Sequence, residues 1–114
     1  MGLRGRDQQR SKVYDWDIAL RKGQGRLTKL QCLRLIKRVH IAFNSSVPSV
    51  VNLNKRRGRA HGARHIIVLP EWARTSTVVV HECIHSVMDL PCNRYCAWHG
   101  PMFVRLFIET LSWL

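Results

Sequence analysis

Residues 78–89, VVVHECIHSVMD, constrain this chain more strongly than any other stretch. Thr75 and the two residues after it can cap the start of a helix, and Pro91 prevents that helix from continuing. On a helix that turns by about 100° per residue, His81 and His85 lie about 40° apart on one face. Both imidazoles can therefore reach one cation, so the stretch is either a buried core helix or the helix of a metal site.

The pattern H-E-x-x-H at residues 81–85 indicates the metal site. Glu82 lies to the side of His85, where its carboxylate can act on a metal-activated water as general base without being a ligand. Val80, Cys83 and Ile84 occupy the opposite side, as a helix packed on a core requires.

A catalytic zinc site needs a third protein ligand, and the C-terminal region offers two candidates. His99 is favoured because thirteen residues separate it from His85 and it precedes a new helix that can pack back on the first. Glu109, 24 residues beyond His85 on that last helix, is the rival. Three histidines and a position open to water favour one Zn²⁺ ion, with iron, nickel and manganese left open.

Three more residues are candidates for supporting roles. Asp89, one turn past His85, could orient that ligand or simply end the helix. Tyr95 or Arg74 could stabilise an oxyanion, the alternative for each being an ordinary solvated side chain.

The remaining histidines and the cysteines allow other interpretations. Cys92 and Cys96, followed by His99, could form a structural zinc site, which would leave the H-E-x-x-H residues without a purpose. Cys32 and Cys83 are expected to fill the core. Three histidines lack a partner at metal-ligand spacing and are expected on the surface or in a hairpin: His40, His61 and His65.

The chain of 114 residues predicts one α+β domain with the element order α-α-β-β-α-α. Residues 1–10 are expected to be a flexible basic N-terminus, followed by a helix over residues 11–22. A long amphipathic helix is expected from Leu27 to Phe43, with its apolar face at Leu27, Leu30, Leu33, Ile36, Val39 and Phe43. Residues 49–54 and 64–70 read as the strands of an antiparallel β-hairpin, and Pro101 opens the final helix.

Positive charge is concentrated in the N-terminal part. The net charge is +12, and residues 1–74 hold 17 of the 19 lysines and arginines. Such a surface can attract an anionic partner, so a nucleic-acid-binding module with a structural zinc is the alternative function. The candidate contacts lie on the hairpin and the long helix: Lys55, Arg56, Arg57, Arg59, Arg64, Arg34, Lys37 and Arg38.

The N-terminal sequence resembles neither an export signal nor a membrane span, so we expect a cytoplasmic protein without a membrane partner. The sequence indicates no particular oligomeric state.

With VVVHECIHSVM and AWHGPMF in view, the chain resembles a family of small zinc metallohydrolases of actinobacteria and their phages. It is similar, more distantly, to SprT-like zinc metalloproteases. The shared pattern is a valine-rich lead into H-E-x-x-H, H-G-P-x-F on the next helix, an opening at residues 12–15 and LPEWAR at residues 69–74. Met102 departs from the acidic residue that many relatives have after H-G-P.

The resemblance implies a minimal zincin-like fold, with His81, His85 and His99 as ligands and Glu82 as catalytic acid/base. If the chain is encoded by a phage, it would act in the host cytoplasm. The family does not supply a substrate.

Motif and resemblance together predict a zinc metallopeptidase acting on a peptide or protein. Zinc would lower the pKa of its bound water to about 7, and Glu82 would take the proton and pass it to the leaving amine. The substrate is expected to bind along an edge strand, for which residues 66–69 are the candidate because they lead into the H-E-x-x-H helix.

Overall fold

The computed structural model describes residues 25–88 and 101–113, which form three helices and a small mixed sheet. In chain order the elements are α1 (Lys29–Ala42), β1 (Val50–Asn52), β2 (His61–Gly62), β3 (Ile66–Val68), a 3₁₀ turn (Glu71–Ala73), α2 (Ser76–Met88) and α3 (Pro101–Ser112). The α+β class and these three helices agree with the prediction, whereas the helix expected over residues 11–22 lies outside the described residues.

Helix α1 begins with a capping box. The Thr28 hydroxyl accepts a hydrogen bond from the Gln31 amide at 3.1 Å, and the Thr28 amide donates to the Gln31 side chain at 2.8 Å. After the helix, Asn44 has a φ of 53°, and the Ser45 amide donates to the carbonyl of His40. Asparagine tolerates this left-handed conformation, which explains why α1 ends where it does.

The buried face of α1 agrees with the predicted one in part. Ile36 and Val39 are fully buried, as predicted. Leu30 and Leu33 are instead 55% and 43% exposed, and Cys32, which was not assigned to this face, is fully buried. Apolar residues occur on more than one side of this helix, so spacing alone does not separate all of the buried positions from the exposed ones.

The sheet has the order β1-β3-β2 and is not the predicted hairpin. β1 pairs with β3 in parallel, with Val51 opposite Ile67. The antiparallel partner of β3 is β2, in the segment predicted as a connecting loop, with Gly62 opposite Ile67. β3 is therefore the central strand, so residues 66–68 are not an edge, and within the described ranges the two edges are β1 and β2.

Helix α2 lies at the centre of the described fold and contacts α1, α3, β2 and β3. Residues 77–84 are all buried, and they include the polar Thr77, His81 and Glu82 beside five apolar residues. Thr75 caps the helix by accepting from the Val78 amide at 3.4 Å. None of the helices in the described ranges combines the length and hydropathy needed to cross a bilayer.

Candidate metal centre

The two histidines of the motif face each other on α2. Their Nε2 atoms lie 3.2 Å apart, and the ring centroids are separated by 4.9 Å at an interplanar angle of 59°. Two imidazole nitrogens bound to one tetrahedral zinc at about 2.1 Å would lie about 3.4 Å apart. His81 and His85 are thus spaced for a shared cation, and their i, i+4 position on one helix is the reason.

The Glu82 carboxylate completes the cluster. His81, Glu82 and His85 each present a potential ligand atom, and these atoms lie within 4.8 Å of one another. His81 is 3% and Glu82 8% exposed, while His85 is half-buried. Within the described residues this is the one group of histidine, cysteine and acidic side chains that could hold a metal ion.

Two aromatic rings of α3 form a wall against the histidines. The Phe103 ring lies 4.6 Å from that of His85 and 5.0 Å from that of His81, in an edge-on contact with the latter. Phe107 adds a second edge-on contact with His81 at 5.8 Å. Both phenylalanines are fully buried, so the rings restrict the imidazole orientations and exclude water from one side of the cluster.

Strand β2 rests directly on the helix at the catalytic candidate. A Cβ atom added to Gly62 would lie 2.7 Å from the carbonyl carbon of Glu82 and 2.8 Å from its Cα, which is too close for any side chain. Glycine is therefore required for this approach of strand and helix. A glycine within a strand can indicate such a close backbone approach, but Gly62 lies in a segment that the sequence predicts as a connecting loop.

His40 is buried, which corrects the prediction of a surface position. Its Nδ1 donates to the Ile36 carbonyl at 2.8 Å, and its Nε2 lies 2.9 Å from the Ser86 hydroxyl, which then serves as donor. Burial lowers the pKa of the His40 imidazole, and the hydrogen bond to Ile36 opposes this only in part. A neutral imidazole thus joins α1 to α2 one residue beyond His85.

Arg74 is 8% exposed and is not a solvated side chain. Its Nε donates to the Leu69 carbonyl at 3.2 Å, and its Nη2 donates to the carbonyls of Leu53 and Lys55. The guanidinium is occupied by backbone acceptors, which argues against the suggested role in stabilising an oxyanion.

Other candidate residues stand apart from the cluster. Glu109 is exposed and does not belong to the group on α2, and His61 and His65 are exposed as predicted. Five candidates lie outside the described residues, so their roles remain predictions: Asp89, Cys92, Tyr95, Cys96 and His99.

The two described cysteines fill the core as expected. Cys32 and Cys83 are fully buried free thiols. Burial raises the pKa of both, and for Cys83 the neighbouring Glu82 carboxylate raises it further. Both sulfurs therefore remain protonated at neutral pH, which is unsuited to metal binding or nucleophilic attack.

The chain matches no family model, no curated protein and no solved structure. The resemblance to small zinc metallohydrolases therefore remains a prediction based on the motifs.

Proposed function

We propose that this protein is a zinc-dependent metallopeptidase whose ion is held by His81 and His85. The supporting observation is the 3.2 Å separation of the two Nε2 atoms, with the Glu82 carboxylate in the same cluster. Neutral imidazoles suit Zn²⁺, which they bind tightly in a tetrahedral arrangement. When bound, such an ion supplies polarisation of the peptide carbonyl and acidification of a water molecule.

Glu82 is the proton carrier in this proposal. Its carboxylate takes the proton of the attacking water and then delivers it to the nitrogen of the leaving amine. The neighbouring side of the cluster is closed by Phe103 and Phe107, which keeps bulk water from competing for that proton.

The position of α3 supports His99 as third ligand over Glu109. Phe103 is the third residue of α3 and contacts both histidine rings. The N-terminal end of this helix is therefore the end that lies nearer to the cluster. His99 precedes the helix by two residues. Glu109 is six residues beyond Phe103, about 9 Å along the helix, and is exposed.

Strand β2 replaces residues 66–69 as the proposed substrate edge. The Ala63 amide donates to the Ile66 carbonyl at 2.9 Å, so Gly62 falls at the intervening position of the antiparallel ladder. Its amide and carbonyl consequently point away from β3, beside Glu82. An extended peptide can add to this side through main-chain hydrogen bonds.

Metal content provides the first test. We expect about one zinc per chain in the wild type and its loss in His81→Gln and His85→Gln, measured by elemental analysis. His61→Gln and His65→Gln are matched controls, because these histidines are exposed and outside the cluster. Loss of zinc in His99→Ala but not in Glu109→Ala is expected for the third ligand.

Cleavage of a denatured protein provides the second test. Zinc-loaded wild type should cleave it, and Glu82→Gln carrying the same zinc content should be slower by about a hundredfold or more. If both proteins are equally inert, the peptidase proposal is wrong.

A further inference from the structure

The loop between β1 and β2 carries four positive charges in five residues. We call residues 55–59 the basic loop: Lys55, Arg56, Arg57, Gly58 and Arg59. All four cationic residues are exposed. The site proposed above does not use them, although the chain passes from this loop through Ala60 directly into β2.

The basic loop is tied to the rest of the fold at two carbonyls. The Lys55 carbonyl accepts hydrogen bonds from the Glu71 amide at 3.1 Å and from Arg74 at 3.4 Å. The Gly58 carbonyl accepts from the indole N–H of Trp72 at 2.8 Å. Gly58 also has a φ of 107°, which only glycine adopts readily. These hydrogen bonds hold the backbone of the basic loop in one position, so the four cationic side chains start from fixed points on the surface.

A peptide that pairs with β2 would bring its C-terminal part toward the basic loop. Antiparallel pairing is the more stable arrangement per residue, and in it the peptide runs opposite to β2. The residues of the peptide that follow the one beside Gly62 then pass His61 and approach Arg59. Arg59 is three residues before Gly62, about 10 Å along an extended chain.

We propose that the basic loop selects peptides with Asp or Glu about two to four residues beyond the position that pairs with Gly62, on the C-terminal side of the cleaved bond. The inference rests on the proposed peptidase function and names its substrate class. Opposite charges held at the rim of a binding edge raise association rates and discriminate against neutral or basic sequences.

A peptide partner fits the distribution of charge better than a nucleic acid. Lys29 contacts the Asn54 side chain at 3.1 Å, so the basic loop adjoins the start of α1. Arg38, about 13 Å further along α1, lies 5.1 Å from the Trp113 ring and donates to the Trp113 carbonyl. Beside β2, four exposed cations lie in the basic loop and one, Arg64, follows the strand, so positive charge is concentrated at one end of the proposed peptide edge. This arrangement suits an acidic segment of a peptide that binds along that edge.

The experiment uses three peptides of equal length: one with Glu on the C-terminal side of the cleaved bond, one with Glu on the N-terminal side, and one with Gln throughout. Binding is measured by fluorescence anisotropy with zinc-loaded Glu82→Gln, which holds the peptide without cleaving it. We expect the first peptide to bind about tenfold more tightly than the other two, with an advantage that shrinks as salt is raised.

Matched charge removals locate the effect. Arg57→Gln and Arg59→Gln, introduced together into the Glu82→Gln protein, should abolish the preference for the first peptide. Arg34→Gln and Lys37→Gln on α1 remove the same amount of charge, and the protein that carries them should keep the preference. Equal binding of the three peptides, or a preference for N-terminal Glu, would overturn the inference.

Two further measurements separate this inference from its rivals. If wild type cleaves all three peptides with equal kcat/KM, the specificity is wrong and the peptidase survives. If wild type cleaves none while Glu82→Gln keeps the preference, the peptidase is wrong and the acidic-peptide site survives. A thymidine oligonucleotide that binds more tightly than the acidic peptide and depends on Arg57 and Arg59 would assign the loop to nucleic acid instead.

Discussion

His40 shows how one buried polar residue can make stability depend on pH. Its imidazole is fully buried between Ile36 and Ser86, and burial lowers its pKa below the ordinary value of about 6.5. The unfolded chain therefore binds a proton at this residue at a higher pH than the folded protein does. The contribution of the neutral His40 imidazole to the free energy of unfolding is fully present above the pKa of the unfolded chain. It is lost as pH falls below that value toward the pKa of the folded protein.

We expect the free energy of unfolding of the wild type to decrease between about pH 7.5 and pH 5.5, and His40→Gln to decrease less over this range. Urea unfolding at several pH values measures both. His65→Gln removes an exposed histidine and should retain the wild-type slope. An unchanged slope in His40→Gln would show that this imidazole does not titrate differently in the folded protein.

At the scale of the elements, the contact between β2 and α2 depends on the absence of a side chain at Gly62. A Cβ atom there would collide with the Glu82 backbone, so the strand would have to move away from the helix. The same contact sets the distance between the proposed substrate edge and the proposed proton carrier.

We expect Gly62→Ala to lower the free energy of unfolding by about 1–3 kcal/mol and to impair peptide binding. Thermal unfolding and anisotropy measure the two effects. Gly25→Ala is the control, because nothing lies within 4 Å of a Cβ added there. Wild-type stability in Gly62→Ala would contradict the close approach.

Arg74 joins elements that are distant in sequence, because its side chain donates to carbonyls before and within the basic loop. Arg74→Met should cost about 2–4 kcal/mol, since it leaves buried carbonyls without their charged donor. Arg57→Met removes an equally charged but exposed side chain and should change stability by less than about 0.5 kcal/mol. Chemical denaturation compares them, and equal effects would argue against the structural role of Arg74.

The sequence predicted the helices better than the sheet. Capping residues define α1 and α2 locally, α1 also has a long 3.6-residue period, and the spacing of His81 and His85 follows from the helix itself. Strands of two or three residues have no comparable period, and the parallel pairing of β1 with β3 depends on contacts between distant segments. The contact of Phe103 with the two histidines likewise could not be predicted from the sequence, because it depends on how α3 packs on α2.

At the scale of the whole molecule, a metal ion that binds only the folded chain should raise its stability. With free zinc at about one hundred times the dissociation constant, the free energy of unfolding should rise by about 2.7 kcal/mol. His81→Gln should lose this gain and His61→Gln should keep it, as measured by thermal unfolding with and without zinc. The proposed centre would be wrong if His81→Gln were stabilised as much as the wild type.

The hydrogen bonds around Arg74 affect how this part of the protein unfolds locally. The Leu27 amide donates to the Arg74 carbonyl, and the Glu71 amide donates to the Lys55 carbonyl that Arg74 also contacts. Segments nearly fifty residues apart in the chain are thus joined at Arg74, through its main-chain carbonyl to Leu27 and through its side chain to Lys55. Amide hydrogens of Leu27 and Glu71 should exchange with deuterated solvent in a single cooperative unit, and Arg74→Met should divide that unit in two.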